Sequence, residues 1–160
     1  MKHLLITLGL ALLAISNSSQ ADYPMVPDFK LATDSGYIQP ANLSGHVVYI
    51  DFWASWCKPC QKSFPWLNEI QSKYKDKGFM VLAINLDKDR ALADKFLAQI
   101  PANFTIAYDS AGKSAESFHV QGMPSSYLID RTGHLRARHI GFREDDKAEL
   151  EQAVVKLLKE

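Results

Sequence analysis

The chain has 160 residues, with 18 Lys plus Arg against 18 Asp plus Glu, no formal net charge, 47% apolar and 22% charged side chains. That length holds one ordinary domain with its own core, and the composition is not that of a disordered chain. Zero net charge argues against a nucleic-acid binder that neutralises phosphates, and no basic run marks a polybasic membrane patch; Cys57 and Cys60 alone are too few for a disulfide-stapled scaffold or a four-cysteine zinc site.

In chain order, Lys2 precedes an apolar stretch from Leu4 to Ile15, and a polar segment then ends in Ser19-Gln20-Ala21. This is the layout of a secretory signal peptide cut after Ala21. A helix over the apolar stretch reaches about 18 Å, short of a bilayer core of roughly 30 Å, so a cleaved leader is expected over an uncleaved anchor. Residues 1–21 are read as the signal peptide and 22–160 as the mature domain. Export places both cysteines in an oxidising compartment.

Phe29 to Leu31 and Tyr37-Ile38 flank the turn residues Asp34-Ser35-Gly36, which predicts a hairpin. Val47 to Trp53 is a nearly unbroken apolar, β-rich run, typical of a strand buried on both faces. A helix is predicted from about Pro59 to Lys75, kinked by Pro65 and ended by Gly78. Phe79 to Leu86 reads as a second buried strand, Asp89 to Ala98 as a helix, Thr105 to Tyr108 as a short strand and Ala111 to Phe118 as a weak helix. Ser126 to Ile129 and Leu135 to Ile140 are strands joined by the turn Asp130 to Gly133. Glu144 to Lys159 is the last helix, with acids in its first turn and Leu150, Val154, Leu157 and Leu158 on its apolar stripe. The order gives an α/β domain with a mixed sheet, without internal repeat or second domain.

Trp56-Cys57-Lys58-Pro59-Cys60 is the chemical centre. Cysteines three apart at a helix start can close a small disulfide ring. The first sulfur sits where free N–H groups and the helix dipole favour a thiolate, Lys58 adds positive charge, and Pro59 loses nothing in the first turn. Cys57 is expected to be the more exposed and to attack a substrate disulfide; Cys60, one turn deeper, resolves the mixed disulfide. A structural disulfide would close too small a loop to stabilise much. A metal site could draw on two of His46, His119, His134 and His139, but no second ligand pair has matching spacing, so none is expected.

Asp51 interrupts the apolar strand before Cys57. Buried there, its carboxyl would have a raised pKa and could accept the Cys60 proton during resolution. A strand-end Asp reaching solvent is the alternative. In Gly122-Met123-Pro124, the proline belongs at a strand start, and on its chemistry alone a trans bond is the expectation.

The run Asp51 to Cys60, with Pro65 after it and Met123-Pro124 far downstream, resembles the thioredoxin superfamily, and within it the exported TlpA-like thioredoxins. The resemblance implies a thioredoxin fold: a central mixed β-sheet flanked by helices, with an N-terminal β-hairpin extension and an inserted helical segment at about Leu86 to Lys113. It implies thiol–disulfide oxidoreductase activity with Cys57 as nucleophile, Cys60 as resolving cysteine and Asp51 as the buried acid. Trp56, Met123, Pro124 (now expected to be cis) and Gly141 would bind an extended substrate peptide, and Lys58 and Pro59 would tune the thiols. The position of the lysine that often accompanies the buried acid falls here on Ala83, which would leave Asp51 without a cation. No cofactor beyond the Cys57–Cys60 disulfide is implied.

The Lys58-Pro59 dipeptide resembles reducing thioredoxins, which favours a reductant of exported client proteins, recharged by a membrane thiol-transferring reductase, in the periplasm. A monomer is expected. The alternatives are a disulfide-donating oxidant and a non-enzymatic Cu(I)-binding chaperone using Cys57, Cys60 and a histidine.

Overall fold

The computed structural model describes residues 23–160, so the expected signal peptide lies outside the described residues. Seven strands form one mixed sheet: β1 (Leu31–Thr33), β2 (Gly36–Ile38), β3 (Val47–Trp53), β4 (Phe79–Asn85), β5 (Thr105–Tyr108), β6 (Ser125–Ile129) and β7 (Leu135–Ile140). Their spatial order is β2-β1-β5-β4-β3-β6-β7. β3 runs parallel to β4, and β4 parallel to β5, while β6 and β7 follow antiparallel on the far side of β3. The N-terminal hairpin is present and pairs with β5, so the extension and the insert meet at one end of the sheet.

Every residue of β3 is buried, because helices or loops cover both faces. Val47, Tyr49 and Trp53 join one apolar cluster with residues of α1 (Lys58–Tyr74), α2 (Arg90–Gln99) and α4 (Lys147–Leu158). Val48, Ile50 and Phe52 join the other, with Val26 and Phe29 of the entering segment, Leu43, and Phe118 after α3 (Lys113–Ser117).

α1 buries Phe64, Trp66, Leu67, Ile70 and Tyr74 and runs unbroken through Pro65. Pro65 removes the N–H that would reach the Gln61 carbonyl, but both residues are exposed and water can serve that oxygen. Gly78 follows a short 3-10 turn at φ 78°, a left-handed value that favours glycine. The last two helices are shorter than expected. Gly112 is also left-handed and Asp109 accepts the N–H groups of Lys113 and Ser114, so α3 starts at Lys113. The acids Glu144–Asp146 form a 3-10 turn in which Asp146 folds back to accept the Arg143 N–H, so α4 begins only at Lys147.

Candidate active site

The parallel strands β3 and β4 both end at the same edge of the sheet, where sites in α/β folds gather. β3 runs out at Trp53, and the Cys57 N–H then bonds the Ala54 carbonyl at 3.0 Å to turn the chain into α1. Cys57 is the N-cap, its sulfur facing the Cys60 N–H at 3.3 Å, and Pro59 occupies the first helical turn. Cys57 and Cys60 form a disulfide with Cα atoms 5.3 Å apart. The expected contrast in exposure is small in the disulfide form: Cys57 is 3% exposed and Cys60 fully buried. The exposed groups are their neighbours Trp56, Lys58 and Pro59. Lys58 has no carboxylate within ion-pair reach among the described residues.

Sequence reasoning overlooked Asp87. It is buried just beyond β4, and its carboxylate accepts the Ser55 N–H and hydroxyl, each at 2.8 Å, and the Asn85 side-chain amide at 2.8 Å. These bonds tie the loop that carries Trp56 and Cys57 to the end of β4. The signal was available in Asn85-Leu86-Asp87, polar residues at the end of a buried strand next to the cysteine strand.

Asp51 lies mid-strand and 1% exposed, so the solvent-reaching alternative does not hold. It is flanked across the ladder by Ala83 and by Ser126. The Ser126 hydroxyl donates to Oδ1 at 2.9 Å, while Oδ2 has no hydrogen-bond partner. Burial pushes the Asp51 pKa up to about 7, a rise that the Ser126 bond only partly offsets, and no cation opposes it. Tyr49, on the same face, is driven well above its ordinary value by burial and then by Asp51. Tyr49 packs on Trp66 and Trp53 on Phe64, so the strand residues either side of Asp51 on this face meet the helix that carries Cys60. A carboxyl that titrates near neutrality can accept or return a proton there.

The Met123–Pro124 bond is cis, as the resemblance implied and local chemistry alone did not. Pro124 is buried before β6, and its carbonyl accepts the Gly141 N–H at 2.8 Å. Met123 packs against the cluster that includes both cysteines. Gly141 has φ 87°, and a Cβ there would meet nothing within 4 Å, so its glycine answers to backbone conformation rather than to crowding within the chain. Met123, Pro124 and Gly141 are thus joined at one end of β6 and β7, while Trp56 stands exposed beside the disulfide. Of the histidines, His139 faces Asp146 and His134 faces Asp130. Among the described residues no group of three or more His, Cys, Asp or Glu is arranged to hold a metal ion.

The sequence profile of the Redoxin family matches residues 20–154. The chain belongs to the Redoxin family. This redoxin is similar to the thiol-disulfide oxidoreductase ResA of Bacillus cereus, 35% identical over 75% of this chain and 68% of that one. Among solved structures it resembles a Chlorobium tepidum protein assigned as the thiol:disulfide interchange protein DsbE, at 50% identity and a TM-score of 0.84 over 85% of this chain and 96% of that one. A Bacteroides thetaiotaomicron protein assigned as a protein disulfide isomerase matches at 28% identity and a TM-score of 0.77, over 85% and 89%. With the CxxC pair in place, this redoxin is a TlpA-like thiol–disulfide oxidoreductase with a thioredoxin fold.

Proposed function

We propose that this redoxin reduces disulfides of exported client proteins in the cell envelope. In the reduced enzyme the Cys57 thiolate, favoured by the free N–H groups of the α1 N-terminus and by Lys58, attacks a client disulfide. One client thiolate leaves and a mixed disulfide forms. Asp51 takes the Cys60 proton, the Cys60 thiolate attacks the Cys57 sulfur, and the second client thiol departs, leaving the Cys57–Cys60 disulfide. Trp56, Met123, Pro124 and Gly141 hold the client strand, the Met123 backbone pairing with it by strand addition.

The single observation that carries this reading is the combination at α1: a disulfide at the helix N-terminus backed by a buried, cation-free Asp51. The Lys58-Pro59 dipeptide, with no histidine before the second cysteine, supports the reducing direction. The leader pattern of residues 1–21 supports export to the periplasm, and among the described residues no helix is long and apolar enough to cross a membrane. A reductant there must be recharged by electrons from the cytoplasmic side, hence a membrane thiol-transferring reductase as partner.

Equilibration of the Cys57–Cys60 pair against thiol buffers tests the direction. A potential near that of thioredoxin, about −270 mV, supports a reductant; one near about −120 mV makes it a disulfide donor. Tight stoichiometric Cu(I) binding by the reduced protein without disulfide exchange would move the chaperone reading to the front.

A further inference from the structure

Asp51 is sealed from the solvent, yet a base that takes a proton in every turnover must release it. The structure offers a way out. Asp51 on β3 stands directly opposite Ser126 on β6, and Ser126 directly opposite His139 on β7. Register partners share a sheet face, so the carboxyl, the hydroxyl and the imidazole form one transverse row on the side that α4 covers. A cavity of about 100 Å³ lies over this row, lined by Tyr49, Ser126, His139, Arg138, Glu149 and the apolar faces of β7 and α4. It has room for several waters and enough polar groups to hold them. Ser126 belongs to both places: it lines the cavity and donates to Asp51 Oδ1 at 2.9 Å. The His139 side chain is 31% exposed, while its Nε2 is buried without an aligned hydrogen-bond partner, 3.3 Å from Asp146 Oδ2.

We propose that Ser126 and His139 form a proton relay through this cavity, carrying to the solvent the proton that Asp51 takes from Cys60. The proposal rests on the role of Asp51 argued above. When Cys60 gives up its proton, Asp51 becomes neutral. Its proton then passes to the Ser126 oxygen as Ser126 releases its own to cavity water; His139 accepts a proton from that water and yields it to bulk solvent. No bond other than O–H and N–H changes, and Asp51 returns to its carboxylate. The charged and titratable groups around the path are Tyr49 on β3, Arg138 and His139 on β7, Asp146 and the Arg143 that pairs with it before α4, Glu149 on α4 and the cysteine pair on α1. Tyr49 stays protonated through the neutral range and can donate into the cavity.

The test separates attack from resolution. The reduced protein, in excess, is mixed with a nitrobenzoate disulfide whose two thiols absorb when released: the first release reports Cys57 attack, the second Cys60 resolution. Ser126→Ala and His139→Ala should leave the first release unchanged and slow the second by roughly threefold to tenfold, within the range of general acid–base effects. The slowing should be greatest below the pH midpoint, where Asp51 starts protonated and must shed its proton before it can take that of Cys60. The midpoint itself moves upward in Ser126→Ala once the Ser126 bond is gone, and His139→Ala, which leaves that bond in place, separates the relay from this shift. Ser126→Thr, which keeps a hydroxyl, should restore the rate, and added imidazole should restore His139→Ala but not Asp51→Asn. If Asp51→Asn slows the second release while both relay variants run at the normal rate, the relay is wrong and Asp51 keeps its role. If Asp51→Asn is also unaffected, the role of Asp51 falls and the relay with it. Equal slowing by Ser126→Thr and Ser126→Ala, or no response of His139→Ala to imidazole, would mark a structural defect and overturn the relay.

Discussion

β3 turns Val48, Ile50 and Phe52 to one side of the sheet and Val47, Tyr49, Asp51 and Trp53 to the other, and all seven are buried. The first face is apolar throughout its length, and its Phe52 is packed among Phe118 and Tyr127 at ring distances of 5.3 and 5.8 Å. The second face is as buried but carries a carboxyl with one unpartnered oxygen and a tyrosine hydroxyl, with Ser126 beside Asp51 across the ladder. Equal burial therefore does not mean equal purpose. One face stabilises the fold; the other gives up stability to hold a buried carboxyl, in the proposed function the acceptor of the Cys60 proton.

Cys57→Ser should reduce exchange to background while the fold, assayed by circular dichroism, persists, because a three-residue separation closes too small a loop to add much stability. Phe52→Ala should lower unfolding free energy by about 3–5 kcal/mol, yet leave the pH dependence of exchange unchanged. A shift in that dependence would mean the two faces are not separable.

Asp51 gives the opposite signature. Its folded pKa of about 7 lies above the ordinary 3.8, so between these values the folded state holds a proton that the unfolded chain has lost. Stability is then highest at low pH, falls as pH rises through that window, and levels off above it, by on the order of 4 kcal/mol in all. Denaturant midpoints at pH 5 and pH 8 should show the fall in the oxidised protein, and Asp51→Asn should flatten it. The smallest effect belongs to the loop: Asp87→Ala leaves the Ser55 N–H and hydroxyl without their acceptor and should cost about 1–3 kcal/mol, read by thermal unfolding, with slower attack by Cys57.

Much of this was legible in the chain. β3 falls on Val47 to Trp53 as read, since a continuous β-branched and aromatic run has few other solutions. The motif residues Cys57, Cys60, Asp51 and Pro124 were recognisable because their chemistry is local or their positions match a family pattern. What escaped was non-local. Nothing in Ser126 or His139 alone announces that β6 and β7 set them in line with Asp51, because register is a property of pairing and not of composition. Asp87 was visible as a polar residue at the end of a buried strand, but its partner Ser55, distant in sequence, was not. The ends of α3 and α4 moved because Gly112 and Asp146 chose turn geometries that compete with helix.

The central claim is that the face beneath the disulfide is built around a carboxyl that titrates near neutrality. Carboxyl-carbon NMR of Asp51 in the oxidised protein, titrated from pH 4 to pH 9 and assigned by its loss in Asp51→Asn, measures this directly. The account predicts a midpoint near 7. A midpoint near the ordinary carboxylate value, about 4, would contradict it.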